Sequence, residues 1–170
     1  MTDWSELAER HGPAVWKAAY RLVGCEADAA DCFQEAFLAA VRVERAGPVR
    51  NWEALLRHLA VARGLDVLRR RKRERQRRGD WAAGGDPPSS AAGPPEEAQT
   101  AELALRLRAA LGGLPRRQAE VFCLRCMEEL TYEEIASRLG LRVNAVGVLL
   151  HHARQRLREL LTPARAGRKG

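Results

Sequence analysis

The chain has 170 residues, of which 46% are hydrophobic and only 5% aromatic, so leucine and alanine must supply most of the packing, which favours helices over sheets. The formal net charge is +7, and the segment 69–78, RRRKRERQRR, carries all of it, with eight basic residues and one glutamate. One local cationic segment indicates a polyanionic partner. The N-terminus does not resemble a signal peptide and no stretch approaches the roughly 18 apolar residues of a membrane span, which predicts a cytosolic protein without membrane insertion.

Residues 1–78 are predicted to form a helical domain. A short helix that breaks at Gly12-Pro13 leads into a longer one, because proline disrupts a helix interior. A second helix is expected at about 28–44, and the Gly-Pro pair in RAGPVRN ends it. A third helix follows at about 51–75, and the cationic segment extends its C-terminal end, where the helix dipole favours cations.

Residues 79–99, GDWAAGGDPPSSAAGPPEEAQ, contain four of the eight prolines and four of the fourteen glycines. This composition predicts a flexible linker that spans about 25 Å as a coil. Pulled straight, it would reach roughly 70 Å. The linker therefore predicts two lobes that can sit well apart, with Trp81 as a minor anchor.

Residues 100–162 are predicted to form a second helical domain, followed by a disordered tail at 163–170. Thr131 and Glu134 form a capping box at the start of TYEEIASRLG, which Gly140 ends in a left-handed conformation. A second amphipathic helix follows, whose inward-facing residues are Val146, Leu149, Leu150, Ala153, Leu157 and Leu160. A short helix, a glycine-containing turn and a second helix predict a DNA-binding helix-turn-helix; the alternative is an ordinary helical hairpin.

Two motifs resemble a known family. DAADCFQEAF at 28–37 is similar to the Asp-Ala-Glu-Asp-x-x-Gln-Glu-x-Phe pattern of bacterial extracytoplasmic-function (ECF) sigma factors, and LPRRQAEVFCLRCMEELTYEEIASRLGLRVNAV at 114–146 resembles their promoter-binding domain. The order of two lobes around a linker also matches. The resemblance implies an all-α, two-domain protein whose partners are core RNA polymerase, promoter DNA and an anti-sigma factor.

The resemblance also implies site residues in the first domain. The polymerase-docking helix would use Asp31, Gln34, Glu35 and Phe37, although Ala30 replaces the usual glutamate of the pattern. The minus-ten element would be melted by the third helix, and the loop before it would capture a flipped base. The candidate contacts are Arg45, Arg50, Asn51, Trp52, Arg57, His58, Arg63, Arg69, Arg70 and Arg71. For Trp52, a core role is favoured over base stacking.

In the second domain, the recognition helix is apolar where family members often carry lysine or serine and then arginine. Gly147 allows close approach, and Val148 can contact a thymine methyl group. These features predict that the helix reads an A/T-rich minus-thirty-five element mainly by groove shape and phosphate placement; packing against protein is the alternative. The candidate contacts are Arg116, Arg117, Arg142, Asn144, Gly147, Val148, His151, His152 and Arg154.

No nucleotide-binding loop, activated nucleophile or pair of acid-base carboxylates occurs in the sequence, which predicts a protein that is not an enzyme and needs no cofactor or metal. Cys123 and Cys126 form a C-x-x-C pair, but the neighbouring His151 and His152 lack zinc-finger spacing, so all four cysteines are predicted to be packing residues. Two alternatives are a helix-turn-helix regulator that acts without polymerase, which leaves DAADCFQEAF unexplained, and a nuclease, which lacks its metal ligands.

Overall fold

The structure, a computed structural model, describes residues 1–79 and 95–162. These residues form helices and no strands, which confirms the all-α prediction. The helices are α1 (Trp4–Val23), α2 (Glu26–Ala46), α3 (Trp52–Arg78), α4 (Pro95–Gly113), α5 (Arg116–Phe122), α6 (Tyr132–Leu139) and α7 (Val143–Leu161), with a π-helical turn at Cys123–Met127. Trp81 and the tail at 163–170 lie outside the described residues. None of the helices described is long and apolar enough to cross a membrane.

Helix α1 is continuous through Pro13, so the predicted break at Gly12-Pro13 is wrong. Leu7 and Val15, on either side of the proline, are buried in the same core cluster. Their joint burial in one helix offsets the cost of about 3 kcal/mol that proline imposes on a helix interior. Pro13 itself lies on the exposed face.

Helix α3 is the central element of the fold. Asn51 caps its N-terminus by accepting a hydrogen bond from the amide of Ala54, and the helix runs for 27 residues from Trp52 to Arg78. The cationic segment is therefore helical, as predicted. The Gly-Pro break between α2 and α3 is also confirmed, since Gly47 ends α2.

The second lobe contains the predicted helix-turn-helix. The Thr131 hydroxyl accepts a hydrogen bond from the amide of Glu134 at 3.1 Å, and Gly140 has a φ of 65°, so both ends of α6 are as predicted. Helix α7 follows after a short turn. Leu160 is 51% exposed, so its predicted inward position is wrong. Leu161 packs against the core instead, because it lies one full turn after the buried Leu157.

Two features of α4 and α5 were not predicted. Helix α4 begins at Pro95, inside the segment predicted to be linker, and it ends at Gly113. Helix α5, which follows Pro115, changes at Cys123 into the π-helical turn. A π-helical turn is wider than an α-helical one, so it rotates the side chains that follow.

The two lobes share one hydrophobic core. Leu22, Leu65 and Leu68 of the first lobe pack in the same buried cluster as Leu111 and Leu114 of the second. The lobes are therefore docked in this structure, although the linker composition predicts that they can sit well apart. The reason is that α3 presents apolar side chains on two faces: one is covered by α1 and α2, and the other is covered by α4 and α5.

Candidate polymerase and nucleic-acid interfaces

The motif in α2 presents a polar face to solvent. Asp31, Gln34 and Glu35 are all exposed, while Phe37 is half-buried. The Phe37 ring lies 4.9 Å from that of Phe33. The structure therefore brings the four predicted polymerase-docking residues together on one helix, with an aromatic side chain at the edge of the polar face.

The loop before α3 contains the predicted base-capture residues. Arg50 is exposed, and Asn51 uses its side-chain oxygen to cap α3. Trp52 is half-buried, and its ring meets that of Trp4 edge-to-face with centroids 5.4 Å apart. This packing agrees with a core role for Trp52, which the sequence analysis favours over base stacking. Arg45 is exposed at the end of α2.

Two predicted DNA contacts on α3 are engaged by the second lobe. Arg57 Nη1 donates to the Glu128 carbonyl at 3.0 Å, and Arg69 Nη2 donates to the Leu114 carbonyl at 3.0 Å. Both guanidinium groups also have a buried Nε–H without a hydrogen-bond acceptor among the described residues. In this arrangement the two arginines face protein rather than solvent.

Three other predicted α3 contacts remain within the first lobe. Arg71 pairs with Asp28 and also donates to the Val23 carbonyl at 2.8 Å. The Arg71 side chain holds the pKa of Asp28 below its usual range, more than burial raises it. Arg63 lies 3.4 Å from Glu35 of the docking motif. Arg70 is exposed.

A buried carboxylate, Glu120, is surrounded by basic side chains from both lobes. His58 Nε2 lies 3.9 Å from it, Arg116 Nε 3.6 Å and Arg117 Nη1 3.0 Å, while Arg116 also reaches Asp66 of α3 at 3.9 Å. Burial raises the pKa of Glu120, but His58, Arg117 and Arg116 outweigh it, so the pKa lies below its ordinary value. Arg116 and Arg117 lie in the first turn of α5 and pair with Glu120 of the same helix, while their side chains remain 56% and 53% exposed.

Sequence reasoning missed three of the residues that join the lobes. Arg21 Nη1 donates to the Met127 carbonyl at 2.7 Å, and Arg108 Nε donates to the Leu22 carbonyl at 3.1 Å. Glu128 is buried, which raises the pKa of its carboxyl more than Arg57 and Arg21 lower it. The sequence carries no signal for the two arginine bonds, because their acceptors are main-chain oxygens that every residue possesses.

The recognition helix α7 presents its leading face to solvent. Val148 is 55% exposed and Gly147 is half-buried. They line a shallow cleft of about 550 Å³ together with Tyr132, Val143, Asn144, His151 and His152. The lining is apolar at Val143 and Val148 and polar at Asn144, His151 and His152. The remaining predicted contacts on this helix or at its start, Arg142 and Arg154, are exposed.

The cysteines follow the packing prediction with one exception. Cys32 and Cys123 are buried, and burial raises the pKa of the Cys32 thiol to about 11. Cys126 is exposed, so its predicted burial is wrong. It lies in the π-helical turn, whose wider winding rotates it away from the core that holds Cys123. No group of three or more potential metal ligands occurs within residues 1–79 and 95–162.

Two family models match the chain: Sigma-70 region 2 over residues 7–74 and Sigma-70 region 4 over residues 104–157. The chain is also 33% identical over 163 residues to the ECF RNA polymerase sigma factor SigE of Mycolicibacterium smegmatis. That alignment covers 95% of this chain and 62% of the relative, so the chain spans less than two thirds of the length of SigE.

Two solved structures share the fold. One is the sigma factor RpoE in its co-crystal structure with the anti-sigma factor NepR from Bartonella quintana, with a TM-score of 0.56, 24% identity and coverage of 97% of this chain and 100% of that chain. The other is CnrH in complex with the cytosolic domain of CnrY, with a TM-score of 0.57, 26% identity and coverage of 92% of this chain and 86% of that chain.

Proposed function

Because this chain belongs to the extracytoplasmic-function sigma factors, as its motifs at 28–37 and 114–146 predicted, we propose that it binds core RNA polymerase in the cytoplasm and directs the enzyme to promoters. The mechanism is non-covalent: α2 docks on polymerase, α3 and the loop before it engage the minus-ten element, and the helix-turn-helix grips the minus-thirty-five element. The chain itself catalyses no reaction. The observation that carries the proposal is the match to Sigma-70 regions 2 and 4, in that order, over most of the chain.

Polymerase docking is supported by the exposure of the motif in α2. Asp31, Gln34 and Glu35 lie at i, i+3 and i+4, so they share one face of the helix, and all three are exposed. Such a face can contact a partner without any rearrangement of the first lobe. Phe37 adds an aromatic contact at its edge.

The docking proposal is tested by a pull-down of core RNA polymerase with the full chain. We expect Asp31→Ala/Gln34→Ala to reduce recovery of polymerase at least tenfold, because both side chains are exposed and their loss leaves the lobe folded. Glu26→Ala, which removes an exposed carboxylate at the start of the same helix, is the control and should recover polymerase like the wild type. Equal recovery by all three proteins would favour a helix-turn-helix regulator that acts without polymerase.

Upstream recognition is assigned to the cleft on α7. Val148 offers an apolar contact for a thymine methyl group, and Gly147 lets the helix approach the base edges closely. Asn144, His151 and His152 at the rim supply hydrogen bonds, while Arg142 and Arg154 neutralise phosphates. Together these residues favour an A/T-rich element that is read mainly by shape.

A gel-shift series tests this assignment. With polymerase holoenzyme and a promoter fragment, replacing A/T pairs by G/C pairs in the minus-thirty-five element should weaken binding several-fold, since each mismatched pair costs about 1–3 kcal/mol. The same replacement in the spacer between the two elements is the control. Unchanged binding after the minus-thirty-five replacement would mean that the recognition helix is used for protein packing.

The partner of the free protein is proposed to be an anti-sigma factor. RpoE, which shares the fold of this chain, was crystallised with the anti-sigma factor NepR. Such a partner would keep this chain from polymerase until a signal releases it. Co-purification of the tagged chain from its native cells, followed by identification of any stoichiometric protein, tests this point.

A further inference from the structure

The cationic segment 69–78 at the end of α3 carries more positive charge than the described carboxylates neutralise. Arg71 pairs with Asp28, and Arg69 donates to the Leu114 carbonyl. Among residues 1–79 and 95–162, no other basic side chain of the segment lies within 4.0 Å of a carboxylate. Like charges one turn apart on a helix destabilise each other. The segment therefore gains stability from an added anion.

A cleft of about 430 Å³ lies beside this segment, where α3 meets α4. The cleft is lined by Lys72, Arg75, Gln76, Gly79 and Ala109. The first three stand at i, i+3 and i+4, so they share one face of α3. A Cβ atom built on Gly113 would lie 2.6 Å from the Nζ atom of Lys72, so this ammonium group lies directly against α4. The cleft thus presents an ammonium group, a guanidinium group and a side-chain amide to one space.

Helix α4 adds no negative charge on its side of the cleft. Residues 103–113, LALRLRAALGG, contain two arginines and no carboxylate. Burial, followed by the nearby Arg71 guanidinium, lowers the pKa of Arg108. The junction of α3 and α4 is therefore positive on both sides.

The lining selects a class of ligand. Small-molecule sites commonly measure about 300–1,000 Å³, so the cleft can hold a molecule of nucleotide size. Ammonium and guanidinium groups bind phosphate oxygens, and the lining includes no aromatic side chain on which a base could stack. The helix dipole disfavours an anion at the C-terminal end of α3, so a ligand needs several negative charges to bind well. These features favour a compact chain of phosphates.

We propose that the cleft between α3 and α4 binds a small polyphosphate, either a nucleoside triphosphate or an inorganic one, through Lys72, Arg75 and Gln76. The site is additional to promoter and polymerase binding, and it does not depend on either of them. Duplex DNA differs as a ligand, because its phosphates are spread along the strands and draw on the whole cationic segment rather than on one face of it.

Isothermal titration calorimetry of the full chain with ATP, inorganic tripolyphosphate and AMP tests the class of ligand. ATP and tripolyphosphate should both bind, and AMP should bind at least about tenfold more weakly because it offers fewer charge-assisted hydrogen bonds. Tighter binding of ATP would identify the nucleotide as the source of the phosphates, and tighter binding of tripolyphosphate would identify the inorganic ligand. Absence of binding by both, or equal binding of AMP, would overturn the proposal.

Two double variants test the place of the site. Lys72→Ala/Arg75→Ala should weaken ATP and tripolyphosphate binding at least about tenfold. Arg73→Ala/Arg77→Ala removes the same charge from exposed residues on another face of α3 and should weaken binding less than about threefold, since solvent screens these charges. Both variants should weaken binding of a labelled DNA duplex equally. Equal losses of polyphosphate affinity would overturn the site, as would a loss of DNA affinity confined to Lys72→Ala/Arg75→Ala.

A single variant keeps the test decisive if the double variants do not fold. Gln76→Glu places a carboxylate in the cleft and changes the net charge by only half as much as Arg73→Ala/Arg77→Ala. It should nevertheless weaken polyphosphate binding more than that control, because its charge lies inside the cleft. A smaller effect than the control would overturn the proposal. Recovery of core polymerase by Gln76→Glu in the pull-down is expected to equal that of the wild type, so failure of the polyphosphate site leaves the proposed function standing.

Discussion

Replacement of Gly112 by alanine should push the two lobes apart. A Cβ atom built on Gly112 lies 2.8 Å from the backbone oxygen of Leu68 and 3.1 Å from its carbonyl carbon. Backbone atoms cannot swing away as a side chain can, so α4 must move off α3. Overpacking of this kind costs about 1–3 kcal/mol, whereas alanine gains roughly 0.5–1 kcal/mol over glycine in a helix. The net loss of unfolding free energy should be about 0–2.5 kcal/mol.

Gly113→Ala provides a matched control in the same turn. Its Cβ atom would meet the Nζ atom of Lys72 at 2.6 Å, but that atom is the end of a flexible chain and can move aside. We expect no loss of stability, or a gain of up to about 1 kcal/mol from helix propensity. Urea denaturation followed by circular dichroism measures both variants, and the melting temperature of Gly112→Ala should fall by about 2–4 °C for each kcal/mol of stability lost. A Gly112→Ala protein as stable as Gly113→Ala would refute the close approach of α4 to α3.

Three further results are expected. Because Arg71 lowers the pKa of Asp28 in the folded state, the stability from this pair is complete above the ordinary pKa of 3.8 and is lost as the pH falls through the lower folded pKa. Asp28→Asn should therefore lower the free energy of unfolding by about 1 kcal/mol at pH 7 and by nothing at the acid end of a pH series of denaturation curves. An equal loss at both pH values would contradict the prediction. In the native protein at pH 8, a thiol reagent should label the exposed Cys126 rapidly and the buried Cys123 only on unfolding. The log–log dependence of non-specific DNA binding on salt should have a slope on the order of −5 if the segment 69–78 neutralises about six phosphates, and a flat response would show that the segment faces protein.

The features that were predictable from sequence are those whose cause is local. Thr131 and Gly140 cap α6 through groups within four residues of each cap, so the ends of this helix and the helix-turn-helix followed from the residue types alone. The polar face of the docking motif was predictable for the same reason, because i, i+3 and i+4 spacing fixes it.

The features that were missed depend on distant contacts. Pro13 is tolerated because Leu7 and Val15 enter a core that other helices build. The docking of the lobes follows from a second apolar face on α3, and the helical period does not reveal which partner covers that face. In the candidate site, Glu120 stands close to Arg116 and Arg117 in the sequence, but its contact with His58 requires the fold.

Four of the bonds that join the lobes pair arginine side chains with main-chain oxygens at Met127, Glu128, Leu114 and Leu22. An acceptor of this type survives any substitution that preserves the backbone. Mutations at those four positions therefore need no compensating change across the interface, and residue covariation among relatives will be weak there. Among relatives that dock their lobes in this way, the arginines should instead be conserved, while the residues that supply the carbonyl acceptors vary.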